Sequence, residues 1–553
     1  MRPSTCLLAA AIALGAAPAS AQLTSERIEA AAREPHNWLT YSGTYDGQRQ
    51  SALTEVNKAN VRQLELKWIL QDRVVGIWEA NPLVVDGKMY VTQRPNDVVA
   101  LDAKTGKVFW IYQHEPSPDT KACCGANNRG LAMLGNTLFM ATLDSWLVAI
   151  DAVSGQVLWK EKVAETAEGY SMTGAPLVVK DKVIVGVAGG ELGIRGFLAA
   201  YDAKTGKEAW RFHTIPAPGE PGSETWQGRN DAWKTGGGPT WVTGSYDPSL
   251  NLIYWGVGNP GPDWNAAQRP GDNLYSNSVV ALDANTGKLK WHFQFTPRDQ
   301  YDYDSVQIPV LVDREWNGKP AKLMLWANRN GFFYVLDRVT GKFLLGKNFI
   351  PVNWASGLDA DGHPIQTPPA DGTPVYPGVN GGTNWYPPSY SPRTGLMYVP
   401  IWENYAAIYR REEAEHTPGN FFVGGGFKVA APTPNAPTPH MADSGPVLNQ
   451  ATEETGNGAI IAIDPRTGNR VWTHRMVGVT DAGILTTASD LVFSGGRDGY
   501  FYALDARSGD VLWRVNLGGI VAMAPITYAV DGKQYISVIA GRNLVTFALP
   551  DRR

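Results

Sequence analysis

Three acids in six residues, Asp299-Gln-Tyr-Asp302-Tyr-Asp304, form the densest chemical cluster in this chain. In an extended segment side chains alternate, so Asp302 and Asp304 would face the same way and repel unless a cation or a shared proton lay between them. A metal ion is the chemistry this pairing suggests. The alternative is a solvated acidic turn, against which Tyr301 and Tyr303 argue, because interleaved aromatics suit a packed loop. Another acid, Glu191, stands among glycines in Gly186-Val-Ala-Gly-Gly-Glu191-Leu-Gly-Ile-Arg-Gly196, where backbone can approach a ligand closely. By itself that stretch reads first as a tight turn. Asn259, in Gly256-Val-Gly-Asn259-Pro-Gly-Pro-Asp-Trp264, is either an ordinary turn residue or an oxygen ligand.

The cysteines add a second kind of chemistry. Cys6 falls in an N-terminal segment with the layout of a signal peptide, leaving Cys123 and Cys124 adjacent in Lys121-Ala-Cys-Cys-Gly-Ala-Asn-Asn-Arg129. In an oxidising compartment neither has another intrachain partner. A bridge between neighbours is strained, since adjacent Cα atoms sit about 3.8 Å apart and ordinary bridges span roughly 4.4 to 6.8 Å. Strain of that kind marks functional sites, while two reduced thiols are the alternative. No Cys-x-x-Cys-His haem motif, Ser/His/Asp ordering, phosphate-binding Gly loop or zinc spacing occurs, and the 8 His are scattered singly.

Positioning such scattered groups falls to a repeat. The pattern Ala-x-Asp-x-x-x-Gly-x-x-x-Trp appears at Asp102/Gly106/Trp110 and returns at Asp151/Gly155/Trp159, Asp202/Gly206/Trp210, Asp283/Gly287/Trp291, Asp464/Gly468/Trp472 and Asp505/Gly509/Trp513. A degraded copy at Asp337/Gly341 carries Leu345 in the Trp position. Each copy reads as a strand ending in Asp, a turn made by Thr or Ser and Gly, and a second strand ending in an aromatic. The Asp-to-Asp intervals, from about 41 to about 127 residues, suit four-stranded propeller blades with loop insertions. Trp68 in Leu64-Glu-Leu-Lys-Trp68 supplies an eighth closing half, and Asn543-Leu-Val-Thr-Phe547 a last strand, so pairing of the two termini would close the ring and remove exposed edges. The expectation is all-β: one propeller of eight blades. Gly/Pro/Asn/Thr-rich stretches near 354–388 and 410–450, including Pro432–Pro439, read as excursions from the ring.

Arg2, the apolar run Leu7–Ala17 and Ala19-Ser20-Ala21 have the layout of a secretory signal peptide. Residues 1–21 are therefore expected to be removed, and residues 22–553 to form a single exported domain in the periplasm. No later stretch is apolar enough to span a bilayer. With 49 basic against 53 acidic residues there is no electrostatic case for a nucleic-acid partner.

Together these residues are similar to a known family. From about residue 35 onward the chain resembles the pyrroloquinoline-quinone (PQQ) dependent alcohol dehydrogenases of the methanol and ethanol type, which are eight-bladed propellers. The match is carried by Trp78-Glu79-Ala-Asn-Pro-Leu-Val-Val-Asp-Gly87, Cys123-Cys124 with Arg129, Gly189-Gly-Glu191-Leu-Gly, Gly258-Asn259-Pro, Asp302-Tyr-Asp304, Asn328-Arg329-Asn-Gly331 and Gly382-Thr-Asn384-Trp385. The resemblance implies a Cys123–Cys124 disulfide on one face of PQQ and Trp241 on the other. It implies that Glu79, Arg129, Thr173, Ala188, Gly189, Gly190 and Asn384 reach the cofactor's polar edge with Trp385 nearby, and that Arg329 donates toward its reactive carbonyl oxygens. Glu191, Asn259 and Asp302 would hold the ion, with Asp302 also the base that takes the alcohol proton while hydride passes to the quinone.

Asp304, two residues after that base, looks like the mark of the lanthanide-using branch. A third carboxylate overcharges a divalent ion, whereas a trivalent lanthanide balances it. Ca²⁺ is the alternative if Asp304 turns outward. The implied substrate is a small primary alcohol and the implied acceptor a separate cytochrome c; a homodimer is left open. Two departures stand out: Pro239-Thr240 where some relatives have Thr-Asn, and Asp481 where several carry a Trp under the cofactor. Competing readings are a quinoprotein acting on sugars or aldehydes, and a non-catalytic propeller that assembles other exported proteins.

Overall fold

The computed structural model describes residues 22–228, 231–403, 405–430, 458–476 and 478–551. The expected signal peptide at 1–21 and the Pro432–Pro439 stretch lie outside the described residues.

The repeat builds the hairpin its residues call for. Asp97–Asp102 pairs antiparallel with Val108–Tyr112. At the turn Asp102 Oδ1 accepts the backbone N–H of Lys104 at 2.9 Å and of Thr105 at 2.8 Å, and Gly106 takes φ +74°. A carboxylate that collects two N–H groups replaces the ladder bonds the turn interrupts. The same bonds recur at Asp151, Asp202, Asp283 and Asp337.

The Trp of each copy then packs on the Gly of the next. A Cβ on Gly155 would stand 2.7 Å from the Trp110 ring, one on Gly206 2.8 Å from Trp159, and one on Gly509 2.6 Å from Trp472. The indole N–H donates to the carbonyl just after the neighbouring Asp, as from Trp110 to Ala152 at 3.3 Å and from Trp472 to Ala506 at 3.1 Å. Where Leu345 replaces the Trp, Leu345 and Lys347 together cover Gly468. The sequence pattern is thus an inter-blade clasp, and removing such a buried aromatic typically costs about 3–5 kcal/mol.

Among the described residues, eight sheets contain four strands in up-and-down order, and one of them gains a short fifth strand. That strand, Gln50–Ser51, runs parallel to Leu485–Thr487. The ring closes between the termini: Glu65–Gln71 pairs antiparallel with Asn543–Ala548, with Trp68 opposite Thr546. Of the expected excursions, the described parts carry two small hairpins, Ala355–Leu358 with Pro364–Gln366 and Ala406–Arg411 with Gly425–Ala430.

This topology decides where a site can form. In a four-stranded meander the link between strands two and three and the link to the next blade emerge at the same end; the Asp-Gly turns emerge at the opposite end. The chemically rich segments found above lie in the first kind of link.

Candidate active site

A cavity of about 610 Å³ opens at that end, within the usual size of a small-molecule site. Each of the eight links between blades contributes to its wall: Glu79, Cys123 with Arg129, Thr173, Trp241, Asp302 with Asp304, Asn384 with Trp385, Asp481, and Ala522. Links between second and third strands add Ala188, Gly189, Glu191 and Arg329. Residues far apart in the chain meet because the ring brings one link from each blade to a common axis.

Cys123 and Cys124 are bonded to each other, as the resemblance implied. Their sulfurs and the Glu191 carboxylate lie within 4.8 Å of one another. Arg129 forms a 2.6 Å ion pair with Glu79, and its guanidinium stands 5.0 Å from the Trp241 ring centre and 4.6 Å from that of Trp385. Burial pushes the Glu79 carboxyl up, and the Arg129 charge opposes it. Asn384 Oδ1 accepts from the Trp385 N–H at 2.8 Å, which fixes that corner.

The acid cluster is organised by Arg329. Its Nη2 donates to Asp302 Oδ2 at 3.0 Å and its Nη1 to Asp304 Oδ2 at 2.8 Å, while Nε donates to the Val379 carbonyl at 2.8 Å. The cation between the two acids is therefore a guanidinium in this structure. Asp302 is not extended: it takes φ +62°, yet both carboxylates still converge on Arg329. Asp304 turns inward, since Oδ1 also accepts from the Asn259 N–H at 2.8 Å and Oδ2 from the Trp241 indole at 3.1 Å. Gly258 permits this approach, because a Cβ there would lie 2.3 Å from Asp304 Oδ1.

Burial drives the Asp302 carboxyl well up; Arg329 pulls it down, and the charges of Asp304, Asp263 and Glu191 push it further up. Burial likewise raises Glu191, reinforced by Asp304. Burial works against the Arg329 charge, but Asp302 and Asp304 outweigh it and keep the group protonated. Carboxylates with raised proton affinity beside a fixed cation suit proton abstraction or ion binding.

Two expected contact residues are off the wall. Gly190 lies behind it against the Pro239 ring, where a Cβ would come within 2.9 Å, and Asn259 is only 2% exposed. The departures are also resolved. Thr240 faces away, donating to the Phe197 carbonyl at 2.6 Å and accepting from the Val187 N–H at 2.9 Å. Asp481 does stand on the wall, paired with Arg497 at 2.6 Å.

Arg94, Ser171, Asn380, Tyr386 and Arg497 line the cavity without having been expected there. A signal for two of them existed. Arg497 is the second residue after the second strand of its blade, as Arg329 is, and Arg94 is the first after its own, so place in the repeat, not residue type, was the clue.

A planar, polyanionic quinone fits these residues: an aromatic and a disulfide share one cavity, and Arg129 and Arg329 offer edge charge. Glu191, Asn259, Asp302 and Asp304 are hard oxygen donors of the kind a Ca²⁺-like ion takes.

The chain matches the family model described as the PQQ glucose/ethanol/alcohol dehydrogenase beta-propeller domain over residues 38–356 and 353–536. It is 39% identical to the quinoprotein alcohol dehydrogenase PedH of Pseudomonas putida over 97% of this chain and 91% of that one. It is 38% identical to the lanthanide-dependent methanol dehydrogenase of Methylacidiphilum fumariolicum, covering 92% of this chain and 85% of the relative. A solved europium-containing methanol dehydrogenase superposes with a TM-score of 0.87 at 34% identity, covering 95% of this chain and 100% of the other. Likeness of this extent sets aside the non-catalytic assembly propeller: the chain belongs to the PQQ-dependent quinoprotein alcohol dehydrogenases.

Proposed function

We propose that the protein oxidises a small primary alcohol to an aldehyde in the periplasm, using PQQ and a lanthanide ion, and passes the electrons to a separate c-type cytochrome. Residues 1–21 would be the export signal and 22–553 the single working domain. The observation that carries this reading is Arg329 holding Asp302 and Asp304 together on the wall shared with Trp241 and the disulfide.

Glu79 and Arg129, with Thr173, Ala188, Gly189 and Asn384, would hold the cofactor's polar edge. Glu191, Asn259, Asp302 and Asp304 would hold the ion. When bound, the quinone supplies a two-electron acceptor and the ion a Lewis acid. The chain's own part is positional and protolytic. Asp302, 19% exposed at its side chain, would meet the alcohol hydroxyl and take the proton from its oxygen as hydride leaves the carbon that bears it, so the alcohol loses two electrons and two protons. Arg329 keeps Asp302 aimed and presents charge where negative charge develops. Three carboxylates around one ion favour a trivalent cation over Ca²⁺.

Reconstitution decides it. Apo-protein given PQQ with La³⁺ should oxidise a primary alcohol faster than with PQQ and Ca²⁺, and Asp304→Ser should reverse that order. Wild type as active with Ca²⁺, or an unchanged order in the variant, removes the lanthanide. Turnover with dissolved oxygen alone as fast as with an added carrier removes the cytochrome.

A further inference from the structure

Of the four arginines on the cavity wall, three are already paired: Arg129 with Glu79, Arg329 with Asp302 and Asp304, and Arg497 with Asp481. Arg94 is the fourth, and among the described residues it makes no ion pair. Its Nε donates to the Ala126 carbonyl at 3.2 Å and its Nη1 to the carbonyls of Ile77 at 3.1 Å and Val75 at 3.5 Å, whereas Nη2 donates to no described residue. Carbonyls fix the position of a guanidinium without neutralising it. A planar fork held in this way with one arm open is suited to a carboxylate.

The chain is shaped around this side chain. Gly76 takes φ +138°, and a Cβ on it would stand 1.5 Å from Arg94 Nη1, so a bare glycine is what lets the loop wrap the guanidinium. Buried Asp72 ties the two segments together: its Oδ2 accepts the Arg94 backbone N–H at 3.2 Å and its Oδ1 the Val74 N–H at 3.0 Å. On the other side, a Cβ on Gly125, next to the disulfide, would lie 3.5 Å from Arg94 Nη2. The disulfide sulfurs are themselves within 4.8 Å of the Glu191 carboxylate, so contacts run from Glu191 past the disulfide to Arg94. This is the rim of the cavity: Val75 is 76% exposed, and Gly76, Cys123, Cys124 and Gly125 are exposed as well. Val75 and Ile77 make the adjoining stretch of wall apolar.

We propose that Arg94 is a specificity-determining residue that receives a carboxylate at the cavity rim, so that the substrate class includes aliphatic alcohols carrying a carboxylate at the end remote from the hydroxyl. The hydroxyl reaches Asp302 while the alkyl chain lies against the disulfide, Ile77 and Val75. PQQ carries carboxylates too, the same chemistry from a second source. The place of Arg94 on the exposed rim, beside Val75 rather than with buried Arg129 and Asn384, favours the substrate. The inference rests on the alcohol oxidation at Asp302 proposed above.

Holoenzyme loaded with PQQ and the better of La³⁺ and Ca²⁺ is given ω-hydroxycarboxylates and 1-alkanols of matched chain length, with an artificial electron acceptor. In wild type, at one chain length, the KM for the hydroxycarboxylate should lie about tenfold or more below that for the matched alkanol, the worth of one hydrogen-bonded charge pair. In Arg94→Gln that advantage should vanish with kcat little changed, because a group that holds only the remote end binds ground state and transition state alike. Gly76→Ala keeps the arginine but takes the place of its guanidinium, and should lose the advantage as well. PQQ affinity of the same apo-proteins is measured by equilibrium dialysis. No advantage at any chain length in wild type, which needs no variant, or an advantage that survives in both variants, overturns the inference. A fall in PQQ affinity with the advantage intact assigns the carboxylate to the cofactor and overturns it equally. The KM comparison does not depend on which group takes the proton, so its failure and that of the Asp302 reading are told apart.

Discussion

Arg329 and Asp304 are joined by a 2.8 Å charge-assisted hydrogen bond in which both partners are almost fully buried, at 6% and 8% side-chain exposure. The bond links the fifth four-stranded sheet of the chain to the link that precedes it, and the second guanidinium arm reaches Asp302 at 3.0 Å. One planar fork therefore sets the spacing of two acids whose backbone alone would not, since Asp302 sits at φ +62°. A fork of this geometry has no lysine equivalent.

Asp302→Asn keeps the shape and the Arg329 contact but removes the proton acceptor. Turnover should fall by about 10²- to 10⁴-fold while PQQ remains bound, read by the cofactor's absorbance in the purified variant. Near wild-type rates would exclude Asp302 as the base.

Trp241 lines the cavity, with the Arg129 guanidinium 5.0 Å from its ring centre. Trp241→Ala should weaken PQQ retention by about tenfold or more, ~1.4 kcal/mol, measured by equilibrium dialysis of reconstituted protein. The loss of the indole bond to Asp304 at 3.1 Å should also loosen the acid pair. Unaltered retention would mean that the ring is not a cofactor face.

The inter-blade clasp can be read separately from the backbone effect. Gly206 takes φ +73° and a Cβ there meets Trp159 at 2.8 Å; Gly318 takes φ +78° with nothing within 4 Å. Both Ala variants share the left-handed strain, so their difference isolates the clash. Gly206→Ala should be less stable than Gly318→Ala by about 1–3 kcal/mol, followed by urea unfolding. Equal effects would show that the Trp does not need the bare Gly.

Acid should weaken the fold through Asp144. Burial pushes this carboxyl up, but bonds from His114 at 2.8 Å, Thr142 at 2.6 Å and the Ser117 N–H outweigh it and bring it to about 2. A folded value below the ordinary one of about 3.8 means that the stabilisation is complete above pH ~4 and lost as pH falls through about 2, roughly 2 kcal/mol in all. Unfolding measured from pH 6 to pH 2 should show this loss in wild type, and Asp144→Asn should be flatter across that window. A parallel decline in both would exclude the assignment.

The ring was legible in the sequence because its signal is local and repeated. Asp, Gly and Trp at fixed offsets specify a turn and a clasp, and copies of a turn can be counted without knowing how they meet. Trp68 and Asn543–Phe547 even marked the closing pair, since an unpaired strand at each terminus has a natural partner in the other. The cofactor residues were legible only through family likeness; spacing left the paired cysteines and the Asp302/Asp304 cation open. The tertiary structure decided the rest. Arg329 as the bridge, the inward turn of Asp304, the burial of Asn259 behind the wall, and Arg94 and Arg497 near the site all depend on distances between different links. Hydrogen bonds and burial between segments hundreds of residues apart leave no local pattern, because they arise only when the ring brings one link from each blade to the same axis.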